Sequence, residues 1–338
     1  MVLRLQGHDA AVKAFESALR DARLHHAYLL TGPAHVGKLT LAMQIAQAVN
    51  CLAPLNQPCG VCTACTRIAA GTHADVRVIR VDAEATEGPK TVIGIDSVRE
   101  VIASAHLRPY EGRTRLFIFD GADTMTNDAA NALLKVLEEP PPDVHLLLLA
   151  PSQESILPTI TSRCQHIDLR PLPTRQVTQI LQADYGMSAE QAEIVARLSR
   201  GCLGWAIEAS REPALLAGVH QSLERIAEVV EEGLEDRFGY ADQLARRFQR
   251  DRVAGREELY LWLRWLRDVL LVQQGQADSI VNVSWRDTIQ RHAAGLTLAG
   301  TVHWLHLVNE SIEALDRNAN PRLALDVMML EAPSVSTP

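Results

Sequence analysis

Residues 116–164 read LFIFDGADTMTNDAANALLKVLEEPPPDVHLLLLAPSQESILPTITSRC, and the alternation inside this stretch decides the fold class. Arg115–Asp120 and Val144–Ala150 are short, nearly continuous apolar runs. Runs of that length bounded by turn residues read as strands buried on both faces. Between them, Asn127–Glu138 repeats apolar residues at helical spacing and is stopped by Pro140, Pro141 and Pro142, because proline can neither donate to nor fit inside a helix. A strand, a helix and a strand in succession call for parallel pairing with the helix as crossover.

The same pattern extends outward. Ala27–Thr31 (AYLLT) is an apolar run that enters a glycine-bearing loop, followed by a helical stretch from Lys38 to about Asn50. Asp75–Val81 alternates like a strand, Ile95–Ala105 reads as a helix, and Gln165–Leu169 as a short strand. Residues 1–169 are therefore expected to form an α/β module on a parallel sheet. Beyond Leu169 the chain is punctuated by Pro171 and Pro173, and afterwards only helical periodicity appears. Thr174–Tyr185, Ser188–Leu198 and Trp205–Ser210 make a small helical domain over 170–211, with Thr174 and Ser188 placed to cap. Longer amphipathic helices, among them Glu257–Val272 and Thr301–Arg317, fill 212–331, and a tail of 332–338 remains. The last helix opens at Asn320-Pro321, an N-cap followed by proline at the first helical position. Trp262 and Trp265 stand at helical spacing and read as packing. The fold class is α/β plus all-α.

Three constellations carry chemistry. Gly32-Pro33-Ala34-His35-Val36-Gly37-Lys38 follows a strand and opens a helix, the context a phosphate-binding loop requires. Its glycines let amide groups turn toward a phosphate, the helix N-terminus adds partial positive charge, and Lys38 reaches the outer phosphates. Gly32, Pro33, Val36, Gly37, Lys38, Leu39, Thr40 and Asp120 are the expected nucleotide-contacting residues. Leu39 stands where the motif needs a hydroxyl for Mg²⁺, and Thr40 is turned about 100° away by one helical step. ATP or ADP binding is expected; magnesium-supported hydrolysis is expected to be weak or absent. The alternative is a chance glycine-lysine loop.

Cys51-x7-Cys59-x2-Cys62-x2-Cys65 places four thiols in a loop with Pro54, Pro58 and Gly60. Short x2 spacings let thiolates converge on one zinc ion, and a closed four-cysteine set has no open position for water, so its role is structural. Unliganded buried cysteines are the competing reading. Cys164 and Cys202 are isolated and read as packing.

The third constellation is the strand Leu116–Asp120, whose terminal Asp120 can orient Mg²⁺. A hydrolytic site needs a glutamate next to polarise water, and Gly121 stands there instead. Asp123 reads as a cap or a solvated charge. Arg163, in Ser162-Arg163-Cys164, taken alone reads most often as a surface residue or a structural salt bridge.

Composition excludes several classes. Of 338 residues, 47% are hydrophobic and 22% charged, which argues against disorder. No apolar run approaches membrane-spanning length, and Met1–Gly7 carries no secretory leader, so a cytoplasmic protein is expected. A net charge of −8 gives no general basic face for wrapping DNA. This acidic balance also counts against a protein that reads DNA through its cysteine module.

Residues 116–164, notably NALLKVLEEPP and SRC, resemble the clamp-loader AAA+ family. The cysteine insertion, HHAYLLTGP at 25–33 and NPRLALDVMML at 320–330 match the same family. The resemblance covers nearly the whole chain and is weakest over about 212–300. It implies an AAA+ module with a zinc insertion at about 51–66, a helical lid and a helical collar for oligomerisation. It further implies a hetero-pentamer with tau/gamma and delta subunits, a sliding clamp as target, and primer-template DNA met through the complex. On that resemblance Arg163 is a trans-acting arginine finger for a neighbour's ATP site, and Cys51, Cys59, Cys62 and Cys65 are the Zn²⁺ ligands. Gly204 stands where motor subunits place a sensor arginine, and Ala150-Pro151-Ser152 lacks the expected threonine. With Leu39, Gly121 and the short stretch after the collar, these departures favour a stator over the ATP-hydrolysing tau/gamma kind, which remains the alternative.

Overall fold

The structure is a computed structural model that describes residues 3, 5–21, 23–53, 57–81 and 92–333. Pro54 and residues 334–338 of the expected tail lie outside the described residues. Contacts divide the chain into two compact units: Met1–Val177 with Arg200–Trp205, and Thr178–Ser199 with Ala206–Pro338.

The first unit holds strands β1 (Ala27–Thr31), β2 (Val76–Ile79), β3 (Arg115–Asp120), β4 (Val144–Ala150) and β5 (Gln165–Asp168). They form one parallel sheet in the order β2-β3-β4-β1-β5. Its helices are α1 (Asp9–Arg20), α2 (Lys38–Asn50), α3 (Thr63–Ala69), α4 (Ile95–Ala105), α5 (Asn127–Glu138) and the one-turn α6 (Pro158–Thr161). Side chains alternate across a strand, so each run feeds two cores. Leu29, Phe117, Phe119, Leu146 and Leu148 meet Val98, Val101, Leu133 and Val136 of α4 and α5. Tyr28, Leu30, Ile118, Leu147 and Leu149 meet Phe15, Leu41 and Ile45 of α1 and α2 on the other face. Burial on both faces explains why β1, β3 and β4 lack polar alternation. Truncating one such residue, for example Leu147→Ala, should cost about 2–5 kcal/mol.

The edge strand β2 is shorter than its alternating pattern. Asp75 leaves it to accept the amides of Tyr110, Glu111 and Gly112, each at 2.8 Å. Burial opposes its charge, but those three amides and Arg115 outweigh burial and hold its carboxyl below the usual carboxylate range.

The chain continues through α7 (Thr174–Tyr185), α8 (Ala189–Leu198) and α9 (Leu203–Arg211), then α10 (Pro213–Glu231), α11 (Leu234–Arg250), α12 (Arg252–Gln273), α13 (Arg286–Gly295), α14 (Leu298–Asp316) and α15 (Pro321–Glu331). Ser188 caps α8 through Gln191 N, whereas Thr174 is itself the first helical residue. Three helices begin before their apolar periodicity does. Asp251 caps α12, Thr297 caps α14, and α9 starts at Leu203 instead of Trp205. The second unit packs around Trp262, Trp265 and Trp304, all fully buried, with the Trp262 and Trp304 rings 5.1 Å apart. The tryptophans are core. No helix among the described residues is long and apolar enough to cross a membrane.

Candidate functional site

The loop Gly32–Lys38 leaves the C-terminal end of β1, between β4 and β5, where the ends of parallel strands form a crevice. Gly32 has φ +141°, and a Cβ there would lie 2.2 Å from the Leu169 carbonyl oxygen. Gly37 has φ +116° and is the N-cap of α2. The amide-lined turn and the positive end of α2 suit a phosphate. Lys38 Nζ donates to the carbonyls of Gly32 and Pro33, the latter at 2.8 Å. Burial lowers its pKa, while the carboxylates of Asp120 and Asp123 oppose that shift. Asp123 is thus part of the loop's electrostatic surroundings, beside Asp120 at the end of β3. Val36 is buried and its carbonyl accepts from His8 Nε2 at 3.0 Å. Leu39 packs on the core under the loop and Thr40 is exposed.

Two glycines outside the loop stand at positions singled out in the sequence. Gly121 follows Asp120 with φ +88°, and its carbonyl accepts from Thr124 Oγ1 at 2.7 Å. A glutamate there would adopt the left-handed conformation, costing about 1–2 kcal/mol. Gly204, at the start of α9, donates its N–H to the His35 carbonyl at 2.8 Å. A Cβ at that position would lie 2.6 Å from the same oxygen.

The four cysteine thiols lie within 4.8 Å of one another. Tetrahedral zinc with Zn–S about 2.3 Å places its sulfurs roughly 3.8 Å apart, so the cluster can close on a metal ion with small adjustments. Backbone amides of Cys59, Cys62 and Cys65 point at the thiols of Cys51, Cys59 and Cys62 at 3.4, 3.3 and 3.5 Å. Burial opposes ionisation of Cys62, but the amides of Cys65 and Leu52 outweigh it and bring its thiol down to about 6. Cys51 ends α2 and Cys62 caps α3, so a bound ion would join those two helix ends. Cys164 packs against the α4–α5 core, where burial pushes its thiol up to about 12.

Arg163 follows α6 and precedes β5, at the end of the strands opposite the loop. β5 pairs with β1 from Tyr28↔Gln165 to Thr31↔Asp168. The five-residue β1 at about 3.3 Å per residue separates the two ends by roughly 16 Å. Arg163 therefore cannot reach its own phosphate loop. Its guanidinium donates to Glu138 Oε1 at 2.7 Å and to the Thr159 carbonyl at 2.8 Å. It lines a groove of about 540 Å³ together with His25, His26, Leu137, Glu138 and Ser162. The phosphate loop and Asp120 thus share one site, whereas Arg163 and the cysteines stand apart from it.

A family model described as "DNA polymerase III, delta subunit" matches residues 7–173, and one described as "DNA polymerase III, delta subunit, C terminal" matches residues 236–332. The chain belongs to the delta-subunit family of DNA polymerase III. The first match takes in the phosphate loop, the cysteines and Arg163; the second takes in the tryptophan core. The chain is 28% identical over 319 residues to the DNA polymerase III subunit delta' of Bacillus subtilis, covering 94% of each chain. It is 36% identical over 176 residues to the subunit gamma/tau of Mycobacterium tuberculosis, covering 52% of this chain and 29% of that relative. A solved gamma subunit-related protein of Thermotoga maritima superposes with a TM-score of 0.46 at 21% identity, covering 94% of this chain and 97% of that one.

The Gly204–His35 contact and the nearness of Asp123 to Lys38 were not singled out from sequence. Neither has a local signal, since each depends on segments meeting in space. On α15, Leu323, Val327 and Leu330 form an exposed apolar stripe at i, i+4 and i+7. The spacing was visible in NPRLALDVMML, but the sequence does not say which face of that helix is outward.

Proposed function

We propose that the chain is a delta-prime-type, non-motor subunit of a cytoplasmic clamp loader. In this reading it assembles with tau/gamma and delta subunits to load a sliding clamp on primer-template DNA. The observation that carries the reading is the position of Arg163. It is an SRC arginine at the opposite end of the strands from a phosphate loop whose own catalytic-glutamate position is a left-handed glycine. An arginine that cannot serve its own loop is suited to a neighbour's, where it would stabilise charge on a transferring phosphoryl group, a contribution of about 10³–10⁵ in rate.

The remaining parts take supporting roles. Gly32, Pro33, Val36, Gly37 and Lys38 would cradle the phosphates of ATP or ADP, with Leu39, Thr40 and Asp120 beside them. Nucleotide there would be held rather than turned over. Cys51, Cys59, Cys62 and Cys65 would hold one structural Zn²⁺ that pins the insertion at about 51–66. Residues 170–211 would act as the lid on the module of 1–169, and 212–331 as the collar. The exposed stripe Leu323, Val327 and Leu330 supports a subunit contact on the collar, because an apolar helix face is costly to leave in water.

Reconstitution tests the proposal. Loader assembled from tau/gamma, delta and this chain should place the clamp on primed DNA, and loader lacking this chain should not. Loading at full rate without it would remove the proposal.

A further inference from the structure

Glu138 is the last residue of α5, and its side chain is half exposed. Helix C-termini carry partial negative charge, so a carboxylate gains nothing there from its own helix and a cation would be favoured. What Glu138 does have is Arg163: Oε1 accepts from Nη2 at 2.7 Å, while Nη1 donates to the Thr159 carbonyl at 2.8 Å and to Ser162 Oγ at 3.2 Å. The guanidinium is thus held by its own chain on both nitrogens, and its charge is neutralised within the groove it lines. An arginine that must offer positive charge to a phosphate cannot do so well while a carboxylate occupies the same nitrogen. Two anions on one guanidinium edge repel each other, so one must leave.

We propose that Glu138 is a resting-state latch for Arg163: it holds and neutralises the arginine until a partner's phosphate displaces it. This rests on the arginine-finger reading above. The latch is weak by construction. Both side chains are substantially exposed, at 35% for Arg163 and 51% for Glu138, and exposed ion pairs are worth little. A phosphate bearing more charge than a carboxylate can therefore take Nη2, while Thr159 and Ser162 keep the side chain aimed. The latch lowers the turnover of an ATP site that has bound nucleotide but is not yet closed on its neighbour. Glu138 acts through Arg163 and is a positioning residue.

The test uses the reconstituted loader with tau/gamma and delta, and reads steady-state ATP turnover without clamp or DNA. Glu138→Gln keeps the shape and removes the charge. It should raise that basal turnover about two- to fivefold, equivalent to roughly 0.4–1 kcal/mol at 1.36 kcal/mol per decade. Glu138→Ala, which removes the side chain, should act in the same direction. The double variant Glu138→Gln/Arg163→Ala should be as slow as Arg163→Ala alone, because the gain passes through the arginine; a merely structural role would move both backgrounds alike. Turnover that is unchanged or lower in both Glu138 variants, with Arg163→Ala still slowing the loader, overturns the latch and leaves the finger standing. If Arg163→Ala has no effect, the finger reading fails and the latch with it.

Discussion

The amide of Gly204 donates to the carbonyl of His35 at 2.8 Å, joining the start of α9 to the phosphate loop. Relatives that hydrolyse ATP are expected to place a sensor arginine at this position; here backbone occupies that space. Close backbone packing therefore disfavours any side chain at Gly204. Gly204→Arg should not create a working nucleotide sensor. Its Cβ would press on the His35 oxygen, and overpacking of this kind costs about 1–3 kcal/mol. A lower urea midpoint with no gain in ATP turnover is the expected result; a variant that gains turnover would show that α9 moves freely off the loop.

Gly121 gives a parallel case. Because it adopts φ +88°, supplying the missing glutamate by Gly121→Glu places a side chain in a left-handed turn. The variant should lose about 1–2 kcal/mol of stability and remain without hydrolytic activity. Denaturant unfolding and a phosphate-release assay on the same preparation check both halves.

The cysteine cluster should carry one zinc per chain, counted by elemental analysis, and Cys62→Ser should weaken retention. Since the ligands join the end of α2 to α3, removal with a chelator should raise amide exchange in 57–81 and leave the tryptophan core of α12 and α14 unchanged. Equal exchange with and without metal would deny the ion a structural role.

Burial lowers the pKa of His8, His26, His145 and His292 below the ordinary 6.5. For such groups the unfolded chain takes up protons before the folded chain does. Stability is thus full above about pH 6.5 and falls as pH drops through that value toward the lower folded-state pKa values. His292 shows the cause in detail. Trp265 Nε1 donates to its Nδ1 at 3.1 Å, which leaves Nε2 to carry the proton toward Glu231 at 3.0 Å. Protonating Nδ1 would break the tryptophan bond. Urea midpoints should fall between pH 7.5 and 5.5, with Trp265 fluorescence changing in parallel; a flat or rising profile would contradict the assignment.

Much of this was legible in the sequence because it depends on neighbours along the chain. The strands β1, β3 and β4, the helices α4 and α5, and the proline stop after Glu138 follow from periodicity and blocking residues. The cysteine cluster followed from spacing and the phosphate loop from its strand–loop–helix setting. What escaped depends on distance in space. Asp123 looked like a cap because nothing near it in sequence points to Lys38. Arg163 by itself reads as a surface or structural residue because neither its separation from the loop nor Glu138 can be seen from Ser162-Arg163-Cys164. The helices α1 and α3 were not anticipated, and α12 and α14 began early because Asp251 and Thr297 cap ahead of the apolar repeat.

The central claim is that this chain lends an arginine to another chain's ATP site and turns over none itself. ATP turnover by the purified chain, alone and then mixed with tau/gamma and delta, measures it most directly. The account predicts no turnover alone, and turnover in the mixture that falls on Arg163→Ala while the complex still assembles. Turnover by the chain alone, abolished by Lys38→Ala, would contradict it and make this subunit a motor.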